Sequence, residues 1–141
     1  MALILRNSTN NTKRESVLYS DIKTSFSLYS VKNDLENIVN EDSVKTSIKN
    51  ILLTNRGERF FNNTFGSDIR YSLFENFNSA TEQVITELVR NAIENFETRA
   101  NILDILVSSN DELNQLNVTI IFSILNKSEP ITFEFILNRI R

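Results

Sequence analysis

The last third of the chain alternates between apolar and polar residues, which is the pattern of β-strands that bury one face. The apolar positions fall into three runs: Leu103, Ile105 and Val107; then Leu116, Val118, Ile120, Phe122 and Ile124; then Ile131, Phe133, Phe135 and Leu137. The links between these runs, residues 108–112 and 126–130, are short and polar, as connections between antiparallel neighbours usually are. The alternation therefore predicts an antiparallel meander of about three strands.

Upstream of the strands, apolar residues recur with the period of an α-helix from about Asp42 to Asn55. The repeated positions are Val44, Ile48, Ile51 and Leu52. We expect Asp42 or Ser43 to cap the start of this helix, and Gly57 lies where the chain leaves it. This is the first of two predicted helices.

The second helix is predicted to begin at Ser79, because Ser79 and Glu82 have the spacing of a capping box. A stripe of apolar residues follows along one face: Val84, Ile85, Leu88, Val89, Ala92, Ile93 and Phe96. Burial of about six such side chains stabilises by at most about 10–15 kcal/mol. A stripe of this size needs another element to cover it.

Together these elements predict the fold class α+β, with two amphipathic helices packed on one face of a small C-terminal meander. At 141 residues the chain has the length of one domain. Residues 7–16 are polar and aperiodic, so we expect a mobile N-terminal arm at residues 1–17 and a single domain at residues 18–141. Short strands or extended packing segments are expected within residues 18–38, and residues 58–77 form an aromatic-rich connection.

The composition argues against several classes of function. There is no Cys and no His, which removes thiol nucleophiles, thiolate ligands and the Ser–His type of nucleophile activation. A net charge of −3 and a pI near 5.0 argue against a nucleic-acid binder, since no basic excess is present. No apolar run approaches the roughly 18–20 residues that span a bilayer. We therefore expect neither a nucleic-acid nor a membrane partner.

Carboxylate pairs are the remaining source of catalytic chemistry, because a glycosidase works with two of them across a cleft. Glu58, Glu75 and Glu97 are candidates, yet nothing in their spacing selects a pair. The two isolated glycines exclude a phosphate-binding loop, and residues 108–112 lack the Gly and distal Glu of a calcium loop. The residues thus predict no enzyme, no metal, no cofactor and no small-molecule substrate.

The end of the second helix carries the segment Phe96-Glu97-Thr98-Arg99. Glu97 would lie at the negative end of the helix dipole, a position that costs about 0.3–1 kcal/mol unless a positive group meets it. Either Arg99 supplies that charge internally, or its planar guanidinium docks a carboxylate or backbone carbonyls of another chain. The residues alone leave both alternatives open. Under the second, Arg99→Ala should leave the fold nearly intact and weaken assembly with that chain.

Two segments carry a resemblance to a known family: VKTSIKNILLTNRGERF at residues 44–60 and FGSDIRYSLFE at residues 65–75. The chain from Leu18 onward resembles the baseplate wedge and sheath-initiator family of contractile-tailed phages, which is often catalogued as lysozyme-like. The family shares the Ile-Lys-Asn-Ile-Leu-type helix, the Gly-Glu-Arg turn, a Phe-Gly-x-x segment that ends in Leu or Ile, and the Leu-Phe-Glu ending. Its Glu-Pro-Arg motif reads Glu97-Thr98-Arg99 here, so the rigid proline is missing while both charges remain.

The resemblance implies a structural part of a tail baseplate, assembled in the host cytoplasm and carried in the virion. It implies binding of the inner wedge proteins through Glu97, Thr98 and Arg99, and templating of the first ring of tail sheath subunits by the small sheet. Tail tube or hub proteins are further expected partners. Two alternatives stay open: a peptidoglycan-cleaving glycosidase, and the equivalent initiator of a phage-related contractile injection system.

A three-stranded sheet has two edges, whose unpaired backbone groups can bind an extended segment of another chain. The run Ile131-Thr132-Phe133-Glu134-Phe135 is nearly continuous in apolar character and carries few edge-protecting residues. We expect this run to pair with an arm of a sheath subunit. In the alternative interpretation, the strand is central or is covered by the N-terminal arm.

Overall fold

The computed structural model describes residues 17–29, 34–75, 77–110, 115–125 and 127–138. The elements follow in the order β1 (Ser20–Ile22), β2 (Leu28–Tyr29), β3 (Asp34–Leu35), β4 (Asn37–Val39), α1 (Asn40–Leu53), α2 (Ile69–Ser72), α3 (Ser79–Phe96), β5 (Ala100–Asn110), β6 (Gln115–Ile124) and β7 (Lys127–Asn138). The four short strands form two antiparallel pairs, β1 with β4 and β2 with β3. The predicted N-terminal arm lies outside the described residues, apart from Val17.

The predicted meander is confirmed, because β5, β6 and β7 form an antiparallel sheet in that order. Val118 of β6 lies opposite Val107 of β5 and Phe135 of β7, so the apolar sets of the three strands share one face. Along β6 every second residue is buried, from Leu116 to Ile124. The period of two in the sequence therefore predicted correctly which face of β6 is buried.

Leu103 departs from the prediction that it faces the core. The β5–β6 register shifts between Ile102 and Asp104, so one extra residue of β5 bulges out of the ladder. Leu103 is 51% exposed, and Ile102 packs against the core instead. Alternation assumes one residue per step along both strands, so it does not reveal a bulge.

Helix α1 covers the predicted segment, but neither Asp42 nor Ser43 caps it. The N-cap is Val39, which makes no side-chain cap hydrogen bond. Asn40 has a φ of 49°, a left-handed value that asparagine adopts more readily than most residues. Its side chain accepts a hydrogen bond from the Leu18 amide at 2.9 Å. Contact with the chain before β1 therefore sets the start of the helix.

Helix α3 begins at the predicted residue, yet Asn78 caps it rather than Ser79. The Asn78 side chain accepts a hydrogen bond from the Thr81 amide at 2.9 Å. The predicted apolar stripe faces the core except at Val84, which is exposed. Its buried and half-buried members are Ile85, Leu88, Val89, Ala92, Ile93 and Phe96.

The described residues share one cluster of buried apolar side chains between the helices and the sheet. Helix α3 lies along β5, while α1 packs against α3 and reaches β7. The fully buried members of the cluster include Val44, Ile48, Val89, Ile93, Val118, Ile120 and Phe122. The predicted α+β class, with two helices on one face of the sheet, is confirmed.

The connection after α1 folds back onto the end of that helix. Ser67 donates to the Thr54 carbonyl at 2.9 Å through its amide, and to the Leu52 carbonyl at 2.8 Å through its hydroxyl. Gly66 has a φ of 114°, and a Cβ at this position would lie 2.3 Å from the Thr54 carbonyl oxygen. Only glycine fits this close approach, which holds the middle of the aromatic-rich connection against the end of α1.

Candidate partner-binding sites

Glu97, Thr98 and Arg99 lie in the turn between α3 and β5. The Glu97 amide donates to the Ile93 carbonyl at 2.8 Å, which closes the last turn of the helix. The Ala100 amide donates to the Glu97 carbonyl at 3.2 Å, which starts the strand. The turn is therefore held at both ends.

Glu97 and Arg99 form a bidentate ion pair. Arg99 Nε donates to Glu97 Oε1 at 2.6 Å, and Arg99 Nη2 donates to Glu97 Oε2 at 2.6 Å. The Glu97 side chain is only 3% exposed, whereas that of Arg99 is 30% exposed. Thr98 is exposed. The internal pairing is thus present, and the parts of the motif that face solvent are Thr98 and the outer side of the guanidinium.

Burial by itself would raise the pKa of the Glu97 carboxyl. The hydrogen bonds from Arg99 and Ser47, together with the Arg99 charge, outweigh burial, and the pKa lies below its ordinary value. The pKa of Arg99 is raised, chiefly by its hydrogen bond with Glu97. The carboxyl is therefore ionised at neutral pH, which is the wrong protonation state for the general acid of a glycosidase.

Residues distant in sequence complete the surroundings of Arg99. Its guanidinium carbon lies 5.3 Å from the centroid of the Tyr19 ring, within range of a cation–π contact. Asp21 of β1 adds an attractive charge. The Arg99 carbonyl accepts a hydrogen bond from the Leu125 amide at 3.0 Å. These three partners could not be predicted from the sequence, because no local spacing connects them with the motif.

The second candidate site is the edge strand β7. Within the described residues the sheet order leaves β5 and β7 at the edges, so β7 is not central. Ile131 is buried and Phe133 and Phe135 are half-buried on the core face, with their two rings stacked at 5.8 Å between centroids. Thr132 and Glu134 are exposed on the opposite face. Whether the N-terminal arm covers this edge concerns residues outside those described.

The start of β7 is irregular and tethered. The β6–β7 register shifts between Phe122 and Ile124, where one residue of β6 but three of β7 lie between the flanking pairs. Pro130 lies in this extra stretch, at the break in regular structure that its ring requires. Lys127 donates to Glu41 of α1 at 2.7 Å, and this hydrogen bond is the main cause of a lowered pKa at Glu41.

Glu58 and Glu75, the other candidate catalytic carboxylates, have surroundings that differ from those of Glu97. Glu58 accepts hydrogen bonds from the amide and the side chain of Asn55. Glu75 borders a cavity of about 10 Å³, room for about one water molecule. In the described part of the chain, no group of three acidic side chains is placed to hold a metal ion. No helix there is long and apolar enough to cross a membrane.

Comparison with known proteins gives two sequence matches. Residues 38–129 match the family described as baseplate wedge protein gp25. The baseplate wedge protein gp25 of Enterobacteria phage T4 is 30% identical over 114 residues, which cover 81% of this chain and 86% of that protein. The matched residues include α1, α3 and the charged turn.

Solved structures share the fold at lower identity. A protein described as a tail lysozyme from Geobacter sulfurreducens is 24% identical with a TM-score of 0.66, over 72% of this chain and 92% of that chain. A chain of the anti-feeding prophage baseplate is 14% identical with a TM-score of 0.61, over 84% and 83%. A chain of the post-contraction pyocin R2 baseplate is 17% identical with a TM-score of 0.52, over 70% and 95%.

Proposed function

The chain belongs to the family of baseplate wedge protein gp25, and we propose that it is a structural part of a contractile-tail baseplate. The observation that carries this proposal is the family match over residues 38–129. The fold shared with chains of the anti-feeding prophage and pyocin R2 baseplates supports it. The particle could therefore be a phage tail or a phage-derived injection particle. As a baseplate component it assembles with other baseplate proteins.

The charged turn is the proposed contact with the inner wedge proteins. The bidentate pair uses Arg99 Nε and one Nη2 hydrogen, which are two of the five donors of a guanidinium. Because Glu97 already holds the guanidinium in one orientation, Arg99 loses little rotamer freedom when a partner binds its outer side. Internal pairing and docking are therefore compatible: Glu97 positions Arg99, and Arg99 with Thr98 meets the partner.

The edge of β7 is the proposed contact with the tail sheath protein. An extended arm of a sheath subunit would add a strand beside residues 131–135, with backbone hydrogen bonds supplying affinity. Alternating exposed and half-buried side chains along β7 would give the arm its register. The family match ends at residue 129, so this proposal depends on the edge geometry and not on the match.

We infer that the protein has no catalytic role. The lowered pKa of Glu97 and the separate environments of Glu58 and Glu75 support this. A zymogram on purified peptidoglycan tests it, and no clearing is expected. Clearing that is abolished by Glu58→Gln or Glu75→Gln would show a glycosidase instead.

The wedge contact is tested by co-expression with the wedge proteins encoded beside this chain, followed by pull-down. Thr98→Glu adds a negative charge at the exposed position that precedes Arg99 in the chain and keeps both members of the ion pair. We expect wild-type thermal stability, since exposed substitutions change stability by about 0.5 kcal/mol or less, but at least about tenfold weaker capture. Gln83→Glu, at an exposed position of α3, is the matched charge control. Equal capture of both variants would exclude the turn as a contact.

The sheath contact is tested by sheath polymerisation on assembled baseplates. Thr132 and Glu134 occupy positions of the same parity, so their amides point the same way along β7. Proline lacks the backbone N–H, so Glu134→Pro should fold only if the Glu134 amide points outward, away from β6. A folded Glu134→Pro variant should then enter baseplates yet fail to nucleate sheath. If Glu134→Pro does not fold, the outward amides belong to Phe133 and Phe135, and Phe133→Pro becomes the test. Glu134→Ser, which keeps the amide, is the control. Normal sheath on the folded proline variant would disprove edge pairing.

A further inference from the structure

Two adjacent phenylalanines protrude from the loop between α1 and α2. Phe60 is 95% exposed, and Phe61 is fully exposed. Single exposed apolar residues are ordinary on protein surfaces and need no explanation. Two fully exposed aromatic side chains in succession are different, because each of them keeps a large apolar area in water.

We call Phe60 and Phe61 the aromatic tip. Backbone hydrogen bonds hold the loop that carries it. The Gly57 amide donates to the Asn63 carbonyl at 3.0 Å, which closes the loop at its base. The Asn62 amide donates to the Arg59 carbonyl at 3.2 Å, across the two phenylalanines. A backbone held in this way is ordered before any partner arrives, so binding through the tip costs little additional conformational entropy.

The charge fixed beside the aromatic tip is positive. The Arg59 guanidinium lies 3.9 Å from the centroid of the Phe65 ring, and Phe65 packs against Phe96 at 5.0 Å between centroids. The nearest acidic neighbour in sequence, Glu58, turns both carboxylate oxygens back to Asn55 at the base of the loop. The tip therefore presents two apolar rings to a partner, and the residue before them in the chain is a cation held in place by Phe65.

From this geometry we propose that the aromatic tip anchors in an apolar recess, bordered by carboxylates, on another protein of the baseplate. Phenylalanine and arginine are both enriched at protein interfaces, and here they follow one another on a backbone that is already ordered. The proposal uses the family membership, but it depends neither on the charged turn nor on the β7 edge. Failure of either of those contacts would leave it standing, and its own failure would leave them standing.

A second copy of this chain does not fit the tip. Contact of two tips across a two-fold axis would bring Arg59 against Arg59, which is repulsive. The open cleft of about 540 Å³ beside α1 has two acidic residues in its lining, Glu36 and Asp42, but Lys23 and Lys45 line it as well, so it offers no excess of negative charge to Arg59. A membrane surface fits less well, since anionic lipids would repel a chain of net charge −3.

The test is assembly of the full chain with the other baseplate proteins encoded beside it. Phe60→Ser combined with Phe61→Ser should fold with wild-type thermal stability, because neither side chain is buried, but should lower incorporation at least about tenfold. Val84→Ser, at an exposed apolar position on α3, is the matched control and should assemble normally. Arg59→Gln should reduce incorporation and weaken its dependence on salt.

A photo-crosslinking amino acid at position 61 then identifies what the tip contacts in the assembled particle. The proposal expects a cross-link to a different baseplate protein, at an apolar peptide that contains Asp or Glu. A cross-link to a second copy of this chain would overturn it in favour of self-association. Co-flotation of the isolated chain with phosphatidylglycerol vesicles, lost in the Phe60/Phe61 double variant, would overturn it in favour of a lipid surface. Normal incorporation of that double variant would show that the tip binds nothing in the particle.

Discussion

Replacing Arg99 with alanine leaves the Glu97 carboxylate in its buried site without the guanidinium that neutralises it. Removing one partner of a buried ion pair costs about 3–5 kcal/mol, because the remaining charge stays desolvated. Arg99 is 30% exposed, so its truncation would admit some water, and the lower end of that range, about 3 kcal/mol, applies. A loss of this size lowers the melting temperature of a domain of this length by about 10 °C. The buried carboxylate thus reverses the sequence-based expectation that Arg99→Ala leaves the fold nearly intact.

The pH dependence of the Arg99→Ala effect has a definite sign. In the wild type the Glu97 pKa is lowered, so the pair contributes stability above the unfolded pKa of about 4.3, and this is lost as pH falls through the folded value. In Arg99→Ala, burial dominates and raises the folded pKa above the unfolded one. The variant is then least destabilised below about pH 4.3 and loses stability as pH rises through the raised value. The difference between wild type and variant should therefore shrink on acidification.

Urea denaturation followed by far-ultraviolet circular dichroism at about pH 7 and about pH 4 measures both effects. Glu36 and Glu41, whose pKa values are also lowered, titrate alike in both proteins and cancel in the difference. Arg90→Ala removes an exposed pair with Glu94 at 4.0 Å and should cost at most about 0.5 kcal/mol. A loss below about 1 kcal/mol for Arg99→Ala, or a difference that grows at the lower pH, would refute the argument.

Five further substitutions test three features of the fold by thermal denaturation. Gly66→Ala should lower the stability by at least about 3 kcal/mol, because its Cβ would lie 2.3 Å from a backbone oxygen. Gly57→Ala, whose Cβ would have nothing within 4 Å, should lower it by about 1 kcal/mol because of the φ of 85°. Asn78→Ala should cost about 1 kcal/mol and Ser79→Ala nearly nothing, and the reverse order would restore Ser79 as the cap. Thr98→Pro should stabilise the protein by about 0.4–1 kcal/mol, since Glu97 before it already lies outside the helical region at φ −125° and ψ 78°. Destabilisation would show that the turn cannot accept the family's proline.

The sequence predicts the sheet and the two long helices because each is encoded by a local period. The alternation from Leu116 to Ile124 requires no knowledge of partners, and the same holds for the stripe of α3. Features set by tertiary contact were missed. Leu103 is displaced by a bulge, and the start of α1 is set by the bond between Asn40 and the chain before β1. Val84 belongs to the apolar stripe of α3 in the sequence but is exposed, so the buried face of the helix is narrower than the apolar pattern predicts.

The charged motif shows the same division between local and tertiary information. Its presence at the end of α3 and the possibility of an internal pair follow from three consecutive residues. Glu97 is nearly completely buried and accepts a further hydrogen bond from Ser47 of α1, and the Tyr19 ring lies against the Arg99 guanidinium. Neither residue is near the motif in sequence, so the energetic role of the pair was open until the packing was known.

A backbone hydrogen bond joins the two proposed interfaces. The Arg99 carbonyl accepts the Leu125 amide at 3.0 Å, and Leu125 lies in the turn that leads into β7. The start of β7 is in turn bonded to α1 through Lys127 and Glu41 at 2.7 Å. A wedge protein that holds the outer side of Arg99 would therefore also restrain the hairpin from which β7 begins. Because an edge strand accepts another chain with less entropic loss when it is already ordered, binding at the turn should favour strand addition at the sheet edge.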